Sequence, residues 1–228
     1  MGLLTEEQQK NGYFSTIGGF RQGKIIHTVE EYDGSESCCI ACTQLEGRYS
    51  EAECRKNLRD WISFLKTHTT AFRALHFNCN VPQALFDAAC CQENLVELRL
   101  KWGSYSVLSD LAKLKHLQYL YLGSCPGVED LRPITQCSDL RVLFLENTKR
   151  ITDYSMLQKL KQLEQLVITG TLYSCVSVDD LDFVLHMPSL SSLWLPNVRL
   201  LKSYSDTERE TLRARNIQGI HDQPWWMV

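Results

Sequence analysis

A six-residue phrase returns along this chain: an apolar residue, two variable positions, Leu, one variable position, then Leu or a close equivalent. It reads Phe72-x-x-Leu75-x-Phe77, Leu95-x-x-Leu98-x-Leu100, Leu117-x-x-Leu120-x-Leu122, Leu140-x-x-Leu143-x-Leu145, Leu163-x-x-Leu166-x-Ile168 and Leu190-x-x-Leu193-x-Leu195. The first positions, 72, 95, 117, 140, 163 and 190, are separated by 23, 22, 23, 23 and 27 residues. A fixed period in the twenties, with a short strand opening every unit, is the signature of a solenoid. Each unit is too small to bury its own apolar face, so the units must stack. The expected fold is therefore α/β: a parallel sheet on one side and short helical or 3₁₀ return segments on the other.

The repeats occupy residues 71–200, leaving a non-repetitive flank and capping helix at 1–70 and a cap helix and tail at 201–228. Within the first flank, Lys24 to Val29 reads as a short strand ending near Asp33-Gly34. Ser50-x-x-Glu53 is a capping box, and Cys54, Leu58, Trp61, Ile62 and Leu65 follow at helical spacing. That helix is expected across the open end of the first repeat, where an exposed apolar end must be hidden. Ser205-x-x-Glu208 starts a second helix, and Trp225-Trp226 in the tail is expected to pack on the final repeat. The extra residues of the fifth unit, near Tyr173 to Asp179, predict a protruding loop.

Composition narrows the function classes. With 24 Lys and Arg against 27 Asp and Glu, the net charge of −3 gives no electrostatic case for nucleic acid or an anionic membrane. The opening residues lack the pattern of a secretory signal, Glu6 breaks a myristoylation motif, and no apolar run approaches a membrane span. The expectation is a soluble, cytoplasmic chain. Its ten cysteines then read as structural free thiols. Cys39-x-x-Cys42 is one half of a zinc motif without a second half, which leaves a zinc- or thiol-dependent regulator as a lesser reading. No Gly-x-Ser-x-Gly, phosphate-cradling glycine loop or His-Glu-x-x-His is present, so neither an enzyme nor a cofactor is expected.

The connecting segments Val128-Glu129-Asp130-Leu131-Arg132-Pro133-Ile134 and Ile151-Thr152-Asp153-Tyr154-Ser155-Met156-Leu157 resemble those of short leucine-rich repeats, as in internalins and a phosphatase-regulating subunit. The resemblance spans residues 72 to 198. It implies a right-handed solenoid whose sheet lines a concave surface that usually binds a protein. This chain departs from the family at the turn asparagine, which survives as Asn80 but is Gly103, Cys125, Thr148, Thr171 and Val198 in later units. Those turns must satisfy their backbone groups another way.

Side-chain alternation puts the intervening residues on the concave side. The central column reads His76, Arg99, Tyr121, Phe144, Val167, Trp194, and the column two residues earlier reads Ala74, Glu97, Tyr119, Val142, Gln165, Ser192. A third column reads Asn78, Lys101, Gly123, Glu146, Thr169, Pro196. Tyr119, Tyr121, Val142, Phe144, Val167 and Trp194 should form an aromatic and aliphatic patch, with His76, Glu97 and Arg99 beside it. Aromatic and arginine anchors within a polar rim have the composition of a protein-binding surface. Three uses remain open: a protein or peptide ligand, a homodimer contact, or cover by the N-terminal segment or the tryptophan tail.

Overall fold

The structure is a computed structural model that describes residues 25–45, 47–171 and 173–215. Among the described residues ten strands form: β1 (Ile25–Ile26), β2 (Ser37–Ile40), β3 (Ala74–Val81), β4 (Glu97–Gly103), β5 (Tyr119–Leu122), β6 (Val142–Glu146), β7 (Gln165–Thr169), β8 (Val176–Val178), β9 (Ser192–Trp194) and β10 (Val198–Leu200). Eight build one all-parallel sheet in the order β1-β2-β3-β4-β5-β6-β7-β9, each strand beside its predecessor in the sequence except that β9 pairs with β7. The solenoid expectation holds. The sheet is longer than the six phrases imply, because Ser37-Cys38-Cys39-Ile40 and Ile25-Ile26 continue the same ladder.

The inward residues Leu75, Leu98, Leu120, Leu143, Leu166 and Leu193, one per strand, are fully buried in a single core. Return segments seal that core from the other side. In four successive units they are 3₁₀ helices, Ser109–Lys113, Arg132–Gln136, Ser155–Lys159 and Asp182–His186. Each contributes buried apolar residues, among them Leu111, Ile134, Leu157 and Val184.

The earlier returns are α-helices, α1 (Glu51–Thr67) and α2 (Gln83–Ala89). Ser50 caps α1 as the sequence indicates: its hydroxyl accepts from the Glu53 amide, and its own amide donates to Glu53 Oε2 at 2.8 Å. The location of α1 corrects the sequence expectation. It packs beside α2, at the end of the first repeat, and does so as the return segment of a further unit between β2 and β3 rather than as a separate cap. Its buried stripe, Asn57, Trp61 and Leu65, faces inward, and both Asn57 Nδ2 and Trp61 Nε1 donate to the carbonyl of His27. The terminal unit is closed in part by Val29 and Tyr32, which pack on the core, with the Tyr32 ring 5.0 Å from that of Phe72.

At the far end, α3 (Asp206–Ala214) starts from a second complete capping box, buries Leu212, and is tied to the last unit where Arg215 Nη2 donates to the Met187 carbonyl. The Trp225-Trp226 expectation lies outside the described residues. The fifth-unit excess is not simply a loop. Val176–Val178 becomes β8, which pairs with β10 in a separate two-stranded parallel sheet, and only the tip at Tyr173 projects.

Turns that lack asparagine use substitutes. The Cys125 thiol lies 3.6 Å from the Glu146 carbonyl and donates to it, while the Thr148 hydroxyl pairs with Tyr154 at 2.7 Å. Asparagines one residue earlier, Asn147 and Asn197, adopt left-handed backbone with φ of 59° and 54° and donate to Ser124 Oγ and the Thr171 carbonyl. Gly123 has a different reason to be glycine: a Cβ there would stand 2.2 Å from the Lys101 carbonyl oxygen. Gly123→Ala is therefore expected to lower stability by about 1–3 kcal/mol through overpacking. Gly47→Ala, which meets nothing within 4 Å, should be nearly neutral. Urea melts of the two variants check this; equal midpoints would contradict the close-approach account.

Candidate functional site

The register sets out the concave columns residue by residue. Ala74, Glu97, Tyr119, Val142, Gln165 and Ser192 are lateral partners across β3 to β9, and so are His76, Arg99, Tyr121, Phe144, Val167 and Trp194. All nine residues proposed from sequence therefore share one side of one sheet. They lie apart from the main core: Val96, Tyr119 and Val142 form a second apolar cluster, with Tyr121 and Phe144 packed on it. The Tyr121 and Phe144 rings meet at 4.5 Å with a 56° tilt, an arrangement that aromatic quadrupoles favour.

Two polar groups border this cluster. Toward β3, Glu97 Oε1 lies 2.8 Å from both His76 Nε2 and Arg99 Nε, and all three side chains are buried. The second oxygen, Oε2, is buried without a hydrogen-bond partner among the described residues. Toward β7, Glu146 Oε2 accepts from the Tyr121 hydroxyl at 2.9 Å. Burial pushes the Glu146 carboxyl above its ordinary range, although the Tyr121 hydroxyl and the Ser124 backbone pull the other way. Burial likewise raises the Tyr121 hydroxyl.

The third column is less regular than its sequence reading. A bulge in β3 breaks the register between Phe77 and Asn80, so Asn80 pairs with Trp102 and Asn78 has no direct partner. Lys101 lies over the Trp102 ring at 4.7 Å. Ile25 and Cys39, laterally paired with each other and through Cys39 with His76, extend the central column by two positions. The sequence signal for them was weak, because β1 and β2 lack the Leu-x-x-Leu-x-Leu phrase. Cys39 beside His76 invites a nucleophile reading, but burial raises the thiol, the reverse of what activation requires. Among the described residues no group of three or more His, Cys, Asp or Glu side chains could hold a metal ion.

Comparison with known proteins agrees with this architecture. The structure is similar to an internalin from Listeria monocytogenes, at 22% identity over 68% of this chain and 49% of that one, with a TM-score of 0.50. It is also similar to a leucine-rich-repeat protein from Leptospira interrogans, at 14% identity over 82% of this chain and 50% of that one, with a TM-score of 0.52. The chain is a leucine-rich-repeat solenoid. It spans about half the length of these two structures. No protein-family model and no curated protein matches it. Identities this low make the likeness one of fold. Among the described residues, no helix of the solenoid is long and apolar enough to cross a membrane.

How deeply each proposed residue sits was not legible from alternation. Tyr121, Phe144 and Trp194 are partly exposed, whereas His76, Glu97, Arg99, Tyr119, Val142 and Val167 are buried. A buried carboxylate in contact with both His76 and Arg99 makes a definite prediction. Glu97→Ala removes a buried carboxylate that His76 and Arg99 both contact at 2.8 Å, and should cost about 3–5 kcal/mol. Loss of the exposed Glu129–Arg150 pair by Glu129→Ala should cost less than about 1 kcal/mol in the same urea melts.

Glu146 gives a pH-dependent one. Its folded-state pKa is raised, so its ionisation opposes folding. That penalty is absent below the ordinary value of 4.5 and sets in as pH rises through the folded-state value. Glu146→Gln keeps an acceptor for Tyr121, so it should raise the melting temperature at neutral pH and leave it unchanged in acid. A variant that melts identically to wild type at both would remove burial of the charge as the cause.

Proposed function

We propose that this solenoid is a non-catalytic module that binds a protein or peptide segment along its concave sheet. The carrying observation is the line of partly exposed aromatics, Tyr121, Phe144 and Trp194, in one column of the sheet, of which Tyr121 and Phe144 pack on the separate Val96–Tyr119–Val142 cluster. Large rings on a face that the core does not use are what an interface anchor requires. The surrounding His76, Glu97, Arg99 and Glu146 supply charge and hydrogen-bonding groups to set register. Stacked strands hold these side chains in place before any ligand arrives, so association loses little conformational entropy. Likeness of fold to other leucine-rich-repeat proteins supports an interaction role only in general terms.

The test is retention of a ligand by the full chain compared with a Tyr121→Ser, Trp194→Ser double variant, using native lysate and mass spectrometry. Truncating two anchor residues should cost roughly 2 kcal/mol or more each, enough to abolish capture of a micromolar partner. Preys lost only with the double variant identify the ligand. Equal capture by both proteins rejects the concave face. A wild type that is dimeric by light scattering, and made monomeric by Phe144→Asp, would assign the same face to self-association instead.

A further inference from the structure

The Cys39-x-x-Cys42 motif divides between the two faces of the sheet. Cys39 is the lateral partner of His76 on the concave side, whereas Cys42 is fully buried in the core. What lies beside Cys42 comes from β3. Ser37, Cys38, Cys39 and Ile40 pair with Ala74, Leu75, His76 and Phe77, a constant offset of 37 residues. The two chains keep that offset past Ile40, because the Thr43 hydroxyl donates to the Asn80 carbonyl at 2.7 Å. Position 42 therefore adjoins position 79, and alternation from Ile40 and Phe77 turns both side chains inward. Cys79 is buried as well, and its Sγ lies 3.9 Å from the Ile40 carbonyl oxygen, in the gap between the strands. The two thiols meet in a hydrogen bond that Cys42 donates to the Cys79 sulfur. Both are free cysteines.

We propose that Cys42 and Cys79 are a redox modification site: hydrogen peroxide converts them into a reversible disulfide that clasps β2 to β3. The inference goes beyond the binding reading and does not rest on it. Neighbouring strands run about 4.8 Å apart, which lies inside the Cα separation of roughly 4.4–6.8 Å that a disulfide accepts. It is the short end of that range, so the backbone needs some freedom. The bulge in β3 provides it, since Phe77 to Asn80 lies opposite Leu100 to Trp102 and Cys79 falls within the extra step.

The pair is also chemically unequal. The hydrogen bond from Cys42, with smaller help from Thr43, draws the Cys79 thiol below its ordinary value against the effect of burial. Burial pushes the Cys38, Cys39, Cys90, Cys125 and Cys137 thiols the other way. Thiolate is the species that peroxide oxidises, so Cys79 reacts first. Its sulfur attacks one peroxide oxygen, an S–O bond forms, the O–O bond breaks, and the departing hydroxide takes up the thiol proton as water. The Cys42 sulfur then attacks the sulfenic sulfur, an S–S bond forms, the S–O bond breaks, and a second water leaves with the Cys42 proton. Two thiols lose two electrons and one peroxide gains them. A small neutral oxidant suits a buried pair, which it reaches when the terminal units of a solenoid open locally. The bridge closes residues 42 to 79 into a covalent loop that carries α1, and so restrains unfolding of these units.

The test treats the full reduced chain with a few equivalents of hydrogen peroxide, alkylates the remaining thiols with N-ethylmaleimide in urea, and maps peptides by mass spectrometry. A linked peptide pair joining Cys42 to Cys79 is expected, and dithiothreitol should remove it. The oxidised chain should melt about 5 °C or more above the reduced one. Cys42→Ala and Cys79→Ala, checked for folding by circular dichroism, should each abolish the link and the shift, and the wild-type map decides the pairing if either variant fails to fold. Recovery of both cysteines as alkylated thiols overturns the site. A Cys39–Cys42 link in its place, or Cys79 oxidised to sulfonic acid with no link, overturns it too. A Cys42–Cys79 link that leaves the melting midpoint unchanged overturns the clasp.

Discussion

Every feature of this molecule depends on the lateral register of its parallel strands. Because successive side chains point to opposite faces, a slip of one residue between two strands would send a leucine to the concave side and a charge to the core. The ladder Leu75, Leu98, Leu120, Leu143, Leu166, Leu193 prevents this, since each leucine is fully buried against its lateral neighbours. The same pairing that places those leucines inside aligns Glu97, Tyr119 and Val142 outside. Core and candidate site are two sides of one alternation.

The concave side carries a cost that the core does not require. Glu97, His76 and Arg99 are withdrawn from water, and mutual attraction offsets their desolvation only when geometry is good and every polar atom is met. One oxygen of Glu97 lacks a partner among the described residues. An apolar trio at these positions would serve stability as well or better. The Tyr121 hydroxyl shows the complementary case: it is satisfied within the face by Glu146, which also fixes its ring against Phe144.

The repeating half of the fold was open to reading because a strict period converts directly into lateral pairing; both aromatic columns follow from it without adjustment. Where the period lapses, so does legibility. The segment Ser37 to Ile40 has small residues where leucines would announce a strand, yet it joins the sheet because Cys38 and Ile40 fill the inward positions. The stripe on α1 revealed an amphipathic helix but not what it would face, since Trp61 and Leu65 suit a stacked return segment as well as an end cap. The bulge in β3 and the conversion of the fifth-unit excess into β8 depend on backbone pairing that side-chain pattern does not encode. Burial of the concave residues was illegible for a different reason. Alternation assigns a side chain to a face, but exposure depends on what else lies there.

A solenoid couples only neighbouring units, so its stability is a chain of interfaces rather than one cooperative core. The candidate surface runs from His76 on β3 to Trp194 on β9, and it keeps its shape only while every interface between them holds. The junction of β4 with β5 is tightly constrained. There Gly123 allows its own amide to donate to the Leu100 carbonyl at 2.7 Å, and a side chain would meet two backbone oxygens. That junction also divides the face chemically, with the buried charges of β3 and β4 on one side and the aromatic pair of β5 and β6 on the other. A ligand that engages both halves must bridge it and would stabilise it by binding the native arrangement alone. Occupancy of the concave face and integrity of the solenoid are thereby linked. Loss of the occupant should loosen first the interface where the two halves meet, with the end caps unaffected.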